Sequence, residues 1–249
     1  MGISYVGARY HGYQVQKLYP SVQAALELAI AKVAGHHVIS YCAGRTDKGV
    51  HALLQVVHFD TGAIRECHQW VRGINANLPE DIKVIWAKEV LEDFHSRFSA
   101  YSRSYVYVLN TKEGDLFLEP YSWYVGELDL ELMLDASEVL LGEHDFYAFQ
   151  SRHCQAEHAI RRVTECRMEK VGDLIYCHIS ANAFVHHMVR KIMATLVAIG
   201  QKKLDKNQLA KILMEKNREA VPGQAPAKGL FLKAVGYHER YGIPRKINS

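Results

Sequence analysis

Arg45, Thr46, Asp47 and Lys48 sit between two glycines in the stretch CAGRTDKGVHA, residues 42–52, with His51 just beyond. A carboxylate such as Asp47 acts as a nucleophile or base only if it is presented at a cleft and keeps its charge. Burial favours the neutral acid, so such a site normally supplies a nearby cation. Arg45, two residues earlier, is one candidate, and Arg190 in VHHMVRK, one expected helical turn from His186, is another. The competing reading makes Asp47 a turn cap and Arg190 a solvated helix residue whose stem covers apolar surface. A tight turn needs only Gly and Asp, however, and this one carries several more polar groups than turn geometry asks for.

Two other chemistries have candidate residues. In RHCQAEH, His153, Cys154 and His158 lie close together, but their spacing matches no helical or knuckle zinc site, so ordinary surface or core histidines are the simpler reading. His186 and His187, read as neighbours on a helix, point about 100° apart and do not easily share one metal. RNA contact is suggested by aromatic and basic residues in three groups: Arg9, Tyr10 and Tyr13; Arg97, Arg103, Tyr105 and Tyr107; and Arg161, Arg162 and Arg167. Cations bind phosphates and aromatic faces stack on unpaired bases, whereas tyrosines on strands also serve packing alone.

The elements that position these residues follow from periodicity. SVQAALELAIAKVAG (21–35) reads as a helix capped by Ser21 and stopped at Gly35, with Val22, Leu26, Ile30 and Val33 on one face. VIS (38–40) and LLQVVHF (53–59) read as strands around the charged loop. A shorter helix near WVRGINANLP closes at Pro79, and IKVIWAKEV and SRSYVYVLN read as strands, the second apolar on both faces. Asp129 is expected to cap a helix ending at Gly142, and RRVTECRMEKVGDLIYCHISAN to form a hairpin about Gly-Asp. FVHHMVRKIMATLVAIG and NQLAKILMEKN read as helices, and GLFLKAVGY as a last strand. Two similar cycles of strands and helices imply an α+β fold with helices laid on antiparallel or mixed sheets.

Composition narrows the class. The 249 residues are about half apolar, enough for a substantial core without staples. Thirty basic and 27 acidic residues leave a formal charge of +3, too small to identify nucleic acid as a partner by itself. Five widely spaced cysteines without C-x-x-C suggest neither a disulfide framework nor a zinc ribbon, and point to a reducing cytosol. The start has no apolar run long enough for a signal peptide, and IMATLVAIG is far short of the ~20 residues of a membrane span, so no membrane partner is expected.

Together, CAGRTDKGVHA, NANLP (75–79), FHSRFSA (94–100) followed by SRSYVY, and NAFVHHMVR (182–190) resemble the tRNA pseudouridine synthase A family, in that family's order and spacing. The resemblance extends from about Ile3 to Tyr241. It implies that Asp47 is the catalytic aspartate, Arg45 helps extrude the target nucleotide, Tyr105 stacks on the target base, Arg190 pairs with the aspartate, and Leu230 lines the pocket. It also implies two ferredoxin-like halves, 1–104 and 105–249, sharing a continuous mixed or antiparallel sheet with a central basic cleft. The family's reaction needs no cofactor. Its substrate is tRNA, modified at positions 38 to 40 of the anticodon stem-loop, and its members act as homodimers in the cytoplasm. A catalytically silent tRNA-binding protein on the same scaffold is the alternative.

The chain departs from the family pattern in two places. Val6 replaces the usual aspartate and Tyr13 the usual tryptophan in YVGARYHGYQVQ, while His158 and Ala159 stand for the usual Thr-Pro in HCQAEHAIRRV. Neither departure touches Asp47, Arg45, Tyr105 or Arg190.

Overall fold

A computed structural model describes residues 1–152, 154 and 156–244. His153 of the RHCQAEH cluster lies outside the described residues. Strand β1 (Gly2–Tyr5) leads to helix α1 (Val22–Ala34), whose ends are set as its sequence predicts. The Ser21 hydroxyl accepts the Ala24 N–H, and Gly35, at φ 78°, closes the helix by donating its N–H to the Ala31 carbonyl.

Strands β2 (Tyr41–Cys42) and β3 (His51–His58) flank the charged loop. Residues 38–40, expected as a strand, are not one. A Glu27 carboxylate oxygen accepts both the Ser40 N–H (2.7 Å) and its hydroxyl (3.0 Å), while Gln23 donates to the Ser40 carbonyl (3.0 Å). Side chains of α1 thus occupy groups that a sheet ladder would use.

Helix α2 (Cys67–Asn75) is followed by β4 (Ile82–Trp86), and Asn75 brackets Val84 by accepting its N–H at 2.8 Å and donating to its carbonyl at 2.9 Å. The strand predicted through IKVIWAKEV stops at Trp86, which pairs with Gly2 at the limit of β1. Next come β5 (Ala100–Asn110), buried throughout Tyr105–Asn110 as expected of a strand apolar on both faces, and β6 (Trp123–Tyr124).

Asp129 caps α3 (Leu130–Ser137), but the helix tightens into a 3-10 turn over Glu138–Leu140, and Gly142 opens β7 (Gly142–Asp145) rather than ending a helix. The hairpin of β8 (Ile160–Val171) and β9 (Leu174–Ala181) turns at Gly172–Asp173 as predicted.

Helix α4 (Met188–Gly200) starts four residues later than the periodicity suggests. His187 adopts the left-handed conformation (φ 69°), and Phe184–His187 lie ahead of the helix. His186 and His187 therefore do not share a helix with Arg190; their rings lie with centroids 3.8 Å apart. Helix α5 (Lys206–Glu215) has an Asp205–Gln208 capping box, and β10 (Leu230–Tyr237) is the last strand.

The chain forms two compact units, Met1–Arg103 with Phe231–Ser249, and Ser104–Leu230. The segment from Phe231 groups with the first unit, where the sequence reading runs a second half from 105 to 249. In the first unit the strand order is β4-β1-β3-β10. There β1 is antiparallel to β3 and β4, β10 is parallel to β3, and β2 is antiparallel to β3. In the second the order is β5-β9-β8-β7, with antiparallel β7–β8 and β8–β9 pairs and β6 parallel to β5. Helices α1 and α2 pack together in the first unit, and α3 packs with α4 and α5 in the second. The fold is α+β with mixed sheets. All five cysteines are free, and no helix among the described residues is long and apolar enough to cross a membrane.

Candidate active site

The Asp47 loop is fixed by the residues beside it. Thr46 is buried, its hydroxyl 2.8 Å from the Tyr5 hydroxyl, and its carbonyl accepts the Tyr13 N–H at 3.0 Å. The Asp47 carbonyl accepts the Val50 N–H at 3.1 Å, closing a tight turn around Lys48 and Gly49. Burial alternates along the loop: Thr46 points in, Asp47 is half-buried, and Arg45 and Lys48 are exposed. One inward anchor thus leaves neighbouring charged groups presented.

Two glycines of YVGARYHG press against this loop. A Cβ on Gly12, which sits at φ +99°, would lie 2.8 Å from the Thr46 carbonyl oxygen, and one on Gly7 would lie 2.0 Å from that of Val50. The Gly7 N–H also donates to His51 Nδ1 at 3.1 Å, and the His51 ring stacks on Phe231 at 4.7 Å. His51 is therefore buried scaffold, as is Gln55, which brackets Gly44 through that residue's N–H and carbonyl. Of the two departures here, Val6 donates its N–H to the Asp81 carbonyl, and the Tyr13 ring is buried 6.3 Å from Tyr5.

Behind the loop lies Arg103, buried and bonded to three backbone carbonyls. Its Nε and Nη2 donate to Ala43 at 3.3 and 3.0 Å, Nη1 to Ala100 at 2.8 Å and Nη2 to Arg97 at 2.5 Å. FHSRFSA supplies the rest of this backing. Ser96 donates its hydroxyl to Tyr41 at 2.8 Å and accepts the Tyr237 hydroxyl on its carbonyl at 2.6 Å, while Phe94 packs on Tyr237 and Tyr241. Burial pushes the Cys42 thiol up to about 12, with Arg45 opposing. Arg103, expected among RNA-contacting residues, is therefore part of the scaffold.

In the second unit, Tyr105 on β5 is buried with its ring edge-to-face on Phe184 at 5.2 Å. Arg190, in the first turn of α4, donates Nε to the Ala225 carbonyl at 2.8 Å. With the Gln224 amide assigned so that its oxygen faces Arg190, that oxygen accepts from Nη1 at 2.5 Å and the amide nitrogen donates to His187 Nδ1 at 3.2 Å. The loop VPGQAPAKG thus seats the guanidinium, a role not legible in VHHMVR because the accepting carbonyl lies 35 positions further along the chain. Leu230 is buried at the start of β10. Nearby, Tyr107 donates its hydroxyl to the Pro226 carbonyl at 2.7 Å, and Gly229 lacks the Cβ that would meet the Tyr107 ring at 2.7 Å.

The proposed aromatic contacts divide accordingly. Tyr10, Tyr13 and Tyr107 are buried packing residues. Arg9, Arg97, Arg162 and Arg167 are exposed; Arg167 is held between Glu165 and Glu169 at 2.8 and 3.3 Å, and Arg162 pairs with Glu143 at 3.2 Å. His158 is exposed, whereas Ala159 is buried with its carbonyl accepting the Phe146 N–H.

The family model described as tRNA pseudouridine synthase matches residues 2–99 and 136–238, so the chain belongs to the tRNA pseudouridine synthase family. Relatives named tRNA pseudouridine synthase A include one from Vibrio cholerae serotype O1, 44% identical over 98% of this chain and 93% of its own length. Another, from Actinobacillus pleuropneumoniae serotype 7, is 44% identical over 98% and 94% respectively. A solved structure, that of a Cbf5-Nop10-Gar1 complex, aligns with a TM-score of 0.37 at 12% identity, covering 80% of this chain and 44% of its own.

Proposed function

We propose that this chain isomerises uridine to pseudouridine in tRNA, at positions 38 to 40 of the anticodon stem-loop, as a cytoplasmic homodimer. The observation that carries the proposal is the Asp47 loop: a family-matched segment held through the Thr46 hydroxyl by Tyr5 and through its backbone by Gly7, Gly12 and Arg103, while Asp47 stands half-buried. Such fixation costs nothing at the moment of reaction and holds a carboxylate where a reacting carbon must come.

The C1′–N1 bond of the nucleotide breaks, the uracil rotates, C1′ bonds to C5, the C5 proton is lost and N1 gains one. Asp47 attacks C1′ or C6, or assists a glycal route. Arg190 is its ionic partner, Tyr105 stacks on the uracil, Arg45 fills the vacated stack and Leu230 forms an apolar wall. Extruding a stacked base costs a few kcal/mol, and stacking worth ~1 to 3 kcal/mol offsets much of that. Isomerisation involves no redox change and no external group, so it calls for no cofactor.

Incubating the pure protein with undermodified tRNA and mapping pseudouridine by position tests this reading. Product at positions 38 to 40 supports it; tRNA binding without product identifies a silent binder.

A further inference from the structure

In the second unit, a cleft of about 300 Å³ is lined by Arg152, Lys191, Arg218, Glu219, Val221 and Gly223. Three cations and one carboxylate share this small opening. Lys191 Nζ donates to the Gln150 carbonyl at 3.0 Å and the Ala148 carbonyl at 3.4 Å, which fixes the ammonium and leaves one of its three N–H groups for the cleft. Arg218 lies over the Tyr147 ring at 4.0 Å, with Nε on the Tyr147 carbonyl at 3.2 Å and Nη2 on the Gln150 side chain at 3.3 Å. Stacking and two hydrogen bonds hold the guanidinium plane while Nη1 stays available. Arg152 meets Glu219 at 3.3 Å.

We propose that this cleft is an anion site, formed by Arg152, Lys191 and Arg218, that holds one backbone phosphate of the tRNA. The inference rests on tRNA being the substrate. Two cations in excess of the one carboxylate repel each other until an anion enters. Burial first, then Arg218 and Arg152, hold the Lys191 ammonium below the usual lysine range. A phosphate accepts from rigid guanidinium forks and an ammonium at once, and Glu219 is the internal competitor that it displaces from Arg152.

The test uses the full chain and unmodified tRNA, with binding measured by anisotropy across about 50 to 200 mM salt. R152Q removes an exposed group and R218Q a seated one; both should weaken binding several-fold and reduce the slope of log Kd against log salt by about 0.7 to 0.9, one phosphate's worth. E219Q should act in the opposite direction and tighten binding. KM should follow Kd while kcat stays at the parental value. A parental slope in R152Q and R218Q overturns the proposal, whatever the turnover. Calorimetry with inorganic phosphate separates the sources: phosphate binding abolished by R152Q with an unchanged tRNA slope means that the cleft serves free phosphate, and also overturns it. If the parent makes no pseudouridine yet these slopes still change, the proposed reaction fails and the anion site stands.

Discussion

At the scale of single residues, catalysis and affinity separate. Asp47→Asn removes a charge and almost no volume; turnover should fall below detection while tRNA affinity stays within about threefold, because phosphate contacts dominate affinity. Mapping product and measuring Kd on one preparation checks both. Arg190→Met should shift the acid limb of kcat/KM to higher pH, since a carboxylate deprived of a cation takes up its proton more readily. A parental pH profile would remove Arg190 as the partner of Asp47. At Tyr105, Phe keeps the ring and its edge contact with Phe184, whereas Leu loses both the stacking face and that contact. If the hydroxyl accepts the C5 proton, the Phe variant should release label from uracil-C5-labelled tRNA more slowly by the ~10² to 10⁴ of a lost general base. Release at the parental rate would leave stacking as its contribution. Asp47, Arg45, Tyr105 and Arg190 stand out in the sequence as candidates because each sits inside a short motif. The Gln224 and Ala225 seat was not, since hydrogen bonds to a backbone carbonyl leave no residue pattern.

At the scale of elements, motif residues other than Asp47, Arg45, Tyr105 and Arg190 do the holding. Gly7 and Gly12 let the YVGARYHG segment touch the loop, Thr46 anchors it, and Arg103 ties Ala43, Ala100 and Arg97 together. Arg103→Met leaves three carbonyls without this donor, two of the bonds being made to Ala43 alone. It should cost at least about 3 kcal/mol in urea unfolding, the lower end of roughly 1 to 3 kcal/mol for each of the three orphaned carbonyls. Loss under 1 kcal/mol would show that water replaces the clamp. Helix and strand identities were legible where capping and periodicity agreed, as in α1 and the β8–β9 hairpin. They failed where side chains claimed the backbone, as Glu27 does at Ser40, or where a residue took a left-handed conformation, as His187 does ahead of α4. Arg103 and Tyr107 read as RNA contacts because a strand's charged and aromatic residues look alike in sequence whether they face solvent or core.

At the scale of the whole molecule, stability should depend on pH through His58. Burial, then His95, depresses its imidazole from 6.5 to about 4, with Asp60 opposing. Its Nδ1 accepts the Ser96 N–H at 3.2 Å, and its ring stacks on Tyr41. As pH falls through 6.5 the unfolded chain takes up a proton that the folded chain refuses until about 4, so stability present at neutral pH is lost across that window. Discounted for the half-exposed ring, the loss should be about 1 to 2 kcal/mol. Urea midpoints at pH 7 and 5 measure it, and His58→Asn, which keeps an acceptor for Ser96, should flatten the difference. An equal pH response in parent and variant would assign the sensitivity elsewhere.

The first unit is built from two separated pieces of chain, and this bears on the order in which the protein comes into being. Synthesis delivers the residues of the second unit, Ser104–Leu230, as one uninterrupted run. The first unit, although begun earlier, must wait for β10, whose Leu232, Val235 and Tyr237 fill its core and whose Phe231 pairs beside His51 on β3. Domains usually mature from the N-terminus as they leave the ribosome. Here that order reverses: the later-made unit can close first, and the Asp47 loop, preceding β3, settles only when the final strand arrives.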